Sequence, residues 1–294
     1  MTQTQPHVSV RDLRKRYGTF SALDSVSFDI QQGETFALLG PNGAGKSSTI
    51  EILEGYRDRS GGDVTVLGVD PQHGKRAWRE RIGIVLQGSG ESGSATVREQ
   101  LAHFAGFYPN PRDVDEVIDA VGLTDKATTR IRSLSGGQCR RVDVALGVIG
   151  RPELLFLDEP TTGFDPEARL EFWELVRELK REGTTILLTT HNLEEAAQLS
   201  DRAGIIAAGR LIDIGRVDEI GGRDARIPVV RWHSQNGTHE ERTTQPTALV
   251  ARLHAETGTE LAGLQIIRPS LEDIYLGLVG THQMNMTPLE RELV

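Results

Sequence analysis

The sequence predicts an α/β fold in which a largely parallel sheet lies between helices and is preceded by antiparallel strands. Short apolar runs recur along the chain, at 36–39, 82–86, 154–157, 185–188 and 204–207. Helical or loop segments separate these runs, and this alternation is typical of a parallel sheet. Ahead of them, HVSVRDLRKRYG and SALDSVSFDI alternate polar and apolar residues, which indicates antiparallel strands. We therefore expect a mixed sheet that leads into a parallel core.

The segments between the apolar runs predict the helices. The stretches TVREQLAHFAGFY and VDEVIDAVGL, and the residues that follow Ser135, have a helical pattern, so we expect an inserted helical subdomain over about 95–150. Asp165 followed by Pro166 predicts a helix start. An apolar face continues from there to Gly183, where that helix should end.

The character of the sequence changes after about Asp218. EIGGRDARIPVV combines a glycine pair, charges and a proline, and predicts a linker. The stretches PVVRWH, TALVARLHAETG, LAGLQIIRP and SLEDIYLGLVG then predict strand, helix, strand and helix. We expect a main domain over 1–218, a small α+β C-terminal domain over 219–280 and a flexible polar tail over 281–294.

The bulk composition narrows the function classes. A net charge of −9 and a pI near 5.5 argue against a nucleic-acid platform, so no nucleic-acid partner is expected. No apolar run reaches the roughly 18 residues of a membrane span, and the N-terminus has no charged region followed by an apolar one. We expect a soluble chain that is not secreted. Cys139 is the only cysteine, which excludes an internal disulfide and suits a reducing cytoplasm.

The stretch GPNGAGKS, at 40–47, fits the phosphate-binding pattern of Gly, four free positions, then Gly, Lys and Ser or Thr. Its glycines let backbone N–H groups point at anionic oxygens. Lys46 adds a positive charge for the β- and γ-phosphates, and the Ser47 hydroxyl suits Mg²⁺. The helix that follows presents its positive end to the same phosphates. The loop alone predicts a nucleoside triphosphate and fits kinases, GTPases and motors equally well.

Three further motifs lie downstream of the loop. LLFLDEP, at 154–160, is an apolar strand that ends in Asp158, suited to orient Mg²⁺ through water, and Glu159, suited to polarise an attacking water. LSGGQ, at 134–138, places the Ser135 hydroxyl and two glycines before a helix start, which predicts a second anion-binding turn. His191 ends the strand TTILLTT.

Taken together, these motifs closely resemble those of the ATP-binding-cassette (ABC) ATPases, and the resemblance covers about 8–218. It implies a P-loop NTPase core with an inserted helical subdomain, ATP and Mg²⁺ as cofactors, and ATP hydrolysis. Tyr17 of RYG matches the aromatic residue that stacks on adenine in this family. The positions expected to bind ATP are Tyr17, Gly40, Pro41, Asn42, Gly43, Ala44, Gly45, Lys46, Ser47 and Ser48.

The same resemblance assigns the catalytic positions. Asp158 and Glu159 match the Walker B pair, and His191 matches the switch histidine. Gln87, which closes IGIVLQ, matches the glutamine that contacts Mg²⁺ and links the site to a transmembrane partner. The implied catalytic residues are Glu159, His191 and Gln87, and the implied Mg²⁺ positions are Ser47, Gln87 and Asp158.

The resemblance also implies a homodimer with two competent sites. Ser135, Gly136, Gly137 and Gln138 match the signature turn, which in this family contacts the γ-phosphate bound by the other protomer. Asp165 falls in the loop that crosses the dimer seam. Two departures stand out: Phe164 replaces the usual Leu of TGLDP, and Cys139 follows the signature. We expect Phe164 to have little effect on hydrolysis and Cys139 to be a small helix residue, not a redox switch.

A coupled partner is implied, because the chain shows neither a membrane span nor a second substrate pocket. The expected partner is a separate integral-membrane permease that docks near Gln87 and the helical subdomain, with this chain peripheral on the cytoplasmic face of the cell membrane. RPSLEDIYLGLVG, at 268–280, resembles the ending of drug-exporter ATPases of the daunorubicin-resistance type. Alternatively, LEDIYLGL is only the amphipathic last helix that packs the C-terminal domain.

The expected function is therefore the ATPase subunit of a two-component exporter of a drug, lipid or other amphiphile. The alternatives are an importer ATPase and a soluble cassette protein that acts on the ribosome or DNA. The C-terminal domain of this chain is short in comparison with the regulatory domain that importer ATPases usually carry. A single cassette, compact motif spacing and the acidic balance argue against the second alternative.

Overall fold

The computed structural model describes residues 5–85, 94–234 and 237–285. In these residues the strands are β1 Val8–Tyr17, β2 Phe20–Ile30, β3 Thr35–Leu39, β4 Gly61–Val66, β5 Ile82–Val85, β6 Leu154–Asp158, β7 Thr185–Thr189, β8 Arg202–Ala207, β9 Arg210–Arg216, β10 Val229–Ser234, β11 Gly237–Arg242 and β12 Ala262–Ile267. The helices are α1 Lys46–Leu53, α2 Arg76–Arg79, α3 Val97–Ala105, α4 Val114–Ala120, α5 Gly136–Val148, α6 Pro166–Arg181, α7 Leu193–Leu199, α8 Gly222–Ala225, α9 Pro246–Thr257 and α10 Leu271–Asn285.

The central sheet has six strands in the order β5-β6-β7-β3-β8-β9. All neighbours are parallel except β8 and β9, which are antiparallel. Every residue of β3 and β7 is buried, as expected for inner strands with both faces covered. The predicted α/β class with a parallel to mixed sheet is confirmed.

The N-terminal strands are antiparallel, as predicted, but they form a sheet of their own in the order β2-β1-β4. This sheet stays separate because its apolar face, which includes Val8, Val10 and Leu13, packs on one face of the central sheet around α1. On that face of the central sheet lie Phe36 and Phe156.

The other face of the central sheet is covered by helices. Alternate strand residues, such as Leu39, Leu157 and Leu188, belong to a second core shared with α5, α6 and α7. The predicted helical subdomain is present as α3, α4 and α5, and α3 begins with a capping box between Thr96 and Glu99. The two layers of helices and strands hold the carboxyl ends of β3, β6 and β7 at one edge of the sheet.

The C-terminal unit contains the antiparallel sheet β11-β10-β12 and α9. Its last helix, α10, leaves this sheet and packs against α7 and β8, with Ile274 and Val279 buried in the core shared with the central sheet. The alternative that α10 only packs the C-terminal domain is therefore incomplete. The helix also continues through 281–285, where a flexible tail was expected, and residues 286–294 lie outside the described residues. Across the described ranges, no helix is long and apolar enough to cross a membrane.

Candidate active site

The phosphate-binding loop connects β3 to α1 and depends on glycine at specific points. Gly43 and Gly45 have φ values of 79° and 108°, in the left-handed region that other residues avoid. A Cβ atom on Gly40 would lie 2.3 Å from the carbonyl oxygen of Ile206, because the backbone of β8 passes directly beside the loop. The sequence pattern thus reflects both backbone conformation and close packing.

Lys46, the first residue of α1, is buried inside this loop. Its Nζ donates hydrogen bonds to the carbonyl oxygens of Gly40, at 2.7 Å, and Pro41, at 3.0 Å. Burial lowers the pKa of the ammonium group, and the negative charges of Glu159 and Asp158 oppose that effect. The loop carbonyls and the acid pair therefore both stabilise the positive charge of Lys46.

Tyr17 lies next to the first turn of α1. Its hydroxyl is 3.4 Å from the Ser48 hydroxyl oxygen, and part of its ring is exposed. The ring has Lys15 Nζ 4.9 Å and Arg57 Cζ 5.4 Å from its centroid. Two long cationic side chains thus lie against the ring on which the base is expected to stack.

The acid pair ends β6 next to the end of β7. The carboxylate of Asp158 accepts a hydrogen bond from the Thr189 hydroxyl. Glu159 has a φ of 46°, uncommon for a residue with a side chain, and its N–H donates to the Thr189 carbonyl oxygen at 3.0 Å. Its Oε2 lies 3.3 Å from Nδ1 of His191. The strained backbone thus aims a carboxylate that is 11% exposed at a histidine that is 64% exposed.

A cavity of about 430 Å³ joins these groups. Its walls combine the loop residues Gly40, Pro41 and Asn42 with Glu159, Thr190, His191, Leu193 and Tyr275. The structure therefore brings together the predicted loop, the predicted base and the predicted switch histidine in one space large enough for a phosphate chain. Tyr275 comes from α10 and was not expected there.

The signature turn lies elsewhere on the chain. Ser135 caps α5, where its hydroxyl accepts from the N–H of Gln138 at 3.3 Å and the Gln138 side chain accepts from the Ser135 N–H at 3.0 Å. A Cβ atom on Gly136 or Gly137 would meet nothing within 4 Å. The turn is not part of the cavity wall, so one chain alone does not join the signature to the loop.

Asp165 is exposed and caps α6, since its carboxylate accepts from the N–H of Ala168 at 2.8 Å. The predicted helix start is thereby confirmed, and nothing within one chain tests a role at a dimer seam. Gln87 lies outside the described residues, so its predicted contacts have no structural description.

Arg140 is a second residue that sequence reasoning missed. It lies on α5 two residues after the signature, is 6% exposed, and donates to the carbonyl oxygens of Asp158, at 2.7 Å, and Pro160, at 3.1 Å. Its guanidinium thus connects the signature helix to the backbone of the acid pair. The sequence signal was weak, because α5 also carries Gln138, Arg141 and Asp143, and Arg140 stands out only as the charged residue among its buried positions.

The donor atoms available for Mg²⁺ are few. Ser47 is exposed at the start of α1, and Asp158 presents its carboxylate at the sheet edge. Within the described parts of the chain, no group of three or more His, Cys, Asp and Glu residues could hold a metal ion. One hydroxyl and one carboxylate fit Mg²⁺, because this ion usually keeps several waters and binds nucleotide phosphates.

The two departures from the expected motifs have simple surroundings. Phe164 is buried and packs edge-to-face on Phe172, with ring centroids 5.9 Å apart. Burial raises the pKa of the Cys139 thiol, whose Sγ lies 3.7 Å from the carbonyl oxygen of Ile131. A thiol that stays protonated is a poor nucleophile, which agrees with the expected packing role.

Comparison with known proteins agrees with this geometry. The family described as ABC transporter matches residues 23–162. The Nod factor export ATP-binding protein I of Ralstonia nicotianae is 37% identical, over 94% of this chain and 94% of that protein. The daunorubicin resistance ATP-binding protein DrrA3 of Streptomyces coeruleorubidus is 34% identical, over 93% and 96% respectively. A solved ATP binding subunit of an ABC transporter has the same fold, with a TM-score of 0.70 at 24% identity over 92% of this chain and 98% of that one. The chain therefore belongs to the ABC transporter family, as one of its ATP-binding proteins.

Proposed function

We propose that this chain hydrolyses ATP as one half of a paired site and thereby powers a separate membrane permease that exports a drug, lipid or other amphiphile. One observation carries the proposal. The loop, Glu159 and His191 line one cavity, whereas the signature turn is not part of its wall and has open space beside Gly136 and Gly137. Each chain thus carries two different half-sites: the cavity at the loop, and the signature turn.

The chemistry follows from the residues in the cavity. Lys46 places its charge among the phosphates and exchanges its loop carbonyl partners for phosphate oxygens. Glu159 accepts the proton of an attacking water, and His191, 3.3 Å away, orients that carboxylate. Bound Mg²⁺ would neutralise the charge on the phosphates, with the Ser47 hydroxyl as a protein ligand and Asp158 orienting the ion through water. Hydrolysis then returns ADP and phosphate.

Dimer closure completes the site. A second copy places its Ser135–Gln138 turn over the γ-phosphate held by the first copy's loop, and the two-fold symmetry creates two such sites. The N–H groups at the start of α5 face solvent in one chain and would meet an anion in the dimer. Opening after product release provides the mechanical stroke.

A cleft beside the helical subdomain supports the permease partner. It measures about 670 Å³ and is lined by residues after α1, by β5 and by the subdomain. Tyr56, which is 79% exposed, and Phe104 give it an apolar wall, while Glu54 and Asp143 add acidic groups. Strand β5 lines the cleft and ends at Val85, two residues before Gln87 in the sequence, so a permease helix seated in the cleft fits the docking expected near Gln87.

Export is the direction supported by the relatives, since the two named above carry export or drug resistance in their names and match almost the whole chain. Bound to its permease, the chain would be peripheral on the cytoplasmic face of the cell membrane.

Affinity purification from solubilised membranes tests this proposal. We expect the tagged wild-type chain to retain a hydrophobic partner and to hydrolyse ATP faster with it than alone. Tyr56→Asp should lose the partner and keep the basal ATPase rate, because it charges the apolar wall of the cleft. Leu170→Asp is the matched control, since Leu170 is also an exposed apolar residue but does not line the cleft.

Other outcomes would redirect the assignment. Recovery with ribosomes or DNA instead of a membrane protein would contradict the transport function and support the non-transport alternative. ATP-driven uptake into cells, in place of efflux, would replace the exporter with an importer.

A further inference from the structure

The proposed mechanism assigns no role to the motif LEDIYLGL, at 271–278. In the structure it opens α10, and its apolar face points inward, with Ile274 buried against the core. A Cβ atom on Gly221 would lie 2.3 Å from Cγ2 of Ile274, so the helix is held closely at its start. The helix then packs on α7 and β8.

Tyr275 follows Ile274 on this face and reaches the nucleotide cavity. It lines this cavity together with Gly40, Pro41, Asn42 and His191. Its ring is half-buried and packs against the core. Among the residues that the structure describes, the Tyr275 hydroxyl has no hydrogen-bond partner. Burial raises the pKa of Tyr275, so this hydroxyl remains a proton donor at neutral pH.

We propose that Tyr275 is a positioning residue of the ATP site, whose hydroxyl donates a hydrogen bond inside the closed cavity and thereby links the C-terminal helix to nucleotide occupancy. This inference rests on the proposed ATP hydrolysis and not on transport.

The packing of α10 gives this link a second physical connection. Its neighbour α7 begins at Leu193, two residues after His191, and Leu193 itself lines the cavity. A shift of the His191 segment on nucleotide binding would therefore be transmitted to α10 by two routes, through Tyr275 and through α7. If Tyr275 served only as core packing, its ring would be sufficient and its hydroxyl would be dispensable.

Purified full-length protein with Mg²⁺ and ATP tests this distinction. We expect Tyr275→Phe to lower kcat by about threefold to tenfold, the range for one hydrogen bond, with little change in KM. Leu276→Ala is the control on the same helix, because Leu276 is 59% exposed and should behave like wild type. Tyr275→Ala should lose thermal stability as well. If Tyr275→Ala does not fold, Tyr275→Phe alone still tests the role of the hydroxyl.

A structural readout accompanies the kinetics. In the Glu159→Gln background, ATP should slow amide hydrogen exchange in α10, and Tyr275→Phe should reduce that protection. If Tyr275→Phe had wild-type kinetics and ATP did not change the rate of amide hydrogen exchange in α10, the inference would be overturned. The proposed hydrolysis would remain intact. Failure of the wild-type chain to bind or hydrolyse ATP would overturn both.

Discussion

At the scale of single residues, Glu159 and Lys46 make separable contributions. Glu159→Gln keeps the size of the side chain and removes its ability to accept a proton, so ATP binding should persist while turnover falls by about 10²–10⁴-fold. Lys46→Ala removes the buried charge from the loop and should weaken ATP binding itself. Equilibrium nucleotide binding and steady-state ATPase assays on both variants check this contrast. Persistent hydrolysis by Glu159→Gln would show that another group is the base.

Glu54 predicts a pH-dependent stability. It is 7% exposed, and burial, aided by the negative charges of Asp158 and Glu51, raises its pKa to about 7 from the ordinary 4.5. Because the folded-state pKa is the higher one, the folded chain binds more protons than the unfolded chain within this window. The free energy of unfolding should therefore fall as pH rises from 4.5 to about 7, by about 3 kcal/mol for this group.

Glu54→Gln removes that titration. Urea unfolding at about pH 5 and about pH 8 should show a smaller loss of stability for this variant than for wild type. Glu178→Gln is the control, since Glu178 is a surface residue paired with Arg181. An unchanged pH dependence in Glu54→Gln would mean that Glu54 titrates normally in the folded chain.

Arg140 shows why part of the site escaped sequence reasoning. A buried arginine is recognisable only from the carbonyl groups that surround it, and those groups lie on β6 and its loop, far along the chain. Tyr275 is a similar case, because its place in the cavity depends on the return of α10 to the central sheet. The loop and the acid pair were predictable, since their residue types and spacing follow from local backbone geometry.

The contribution of Arg140 to the free energy of unfolding can be tested by substitution. Arg140→Met keeps much of the side-chain volume but removes the guanidinium that donates to the carbonyl oxygens of Asp158 and Pro160. We expect a loss of about 2–4 kcal/mol in the free energy of unfolding and a lower ATPase rate. Arg181→Met, at an exposed surface pair, should change stability by less than about 1 kcal/mol. Equal stability of the two variants in chemical denaturation would contradict this account.

At the scale of secondary-structure elements, the inner strands of the central sheet were predictable from the sequence, whereas the more exposed strands β9 and β11 were not. β3, β6 and β7 are nearly continuous apolar runs because both of their faces are covered. In contrast, β11 reads GTHEER and is mostly exposed, and β9 is only half-buried. Their backbones pair with neighbours while their side chains meet solvent, so the sequence carries little periodic signal for them.

Substitution of two glycines, Gly40 in the loop between β3 and α1 and Gly136 in α5, distinguishes an effect on folding from an effect on the proposed dimer. Gly40→Ala would force a methyl group to 2.3 Å from the Ile206 carbonyl oxygen, so this variant should be destabilised by about 1–3 kcal/mol and bind ATP poorly. Gly136→Ala adds a methyl group in open space at the start of α5 and should keep or gain up to about 1 kcal/mol in stability. It should nevertheless hydrolyse ATP slowly, because the methyl group faces the partner's nucleotide in the proposed dimer.

Thermal unfolding and ATPase assays of both glycine variants check this pair. Wild-type hydrolysis by Gly136→Ala would show that the signature turn does not approach a nucleotide.

At the scale of the whole molecule, the chain places its two half-sites on different parts of its surface. The loop, the acid pair and His191 lie at the carboxyl ends of β3, β6 and β7, whereas the signature turn lies at the start of α5. Defects in the two half-sites should therefore complement each other. In a mixed dimer of Lys46→Ala and Gly136→Ala chains, one site carries both defects and the other carries neither.

Equal amounts of the two variants, allowed to exchange partners, should give about one quarter intact sites and an ATPase rate near one quarter of wild type, above either variant alone. A mixture of Lys46→Ala and Glu159→Gln chains is the matched control. Both of those defects lie in the same half-site, so each site of the mixed dimer keeps one defect and no activity should return. No rescue in the first mixture would mean that each chain completes its own site. Rescue in the control would mean that Lys46 and Glu159 act in different half-sites. Either result would contradict the paired mechanism.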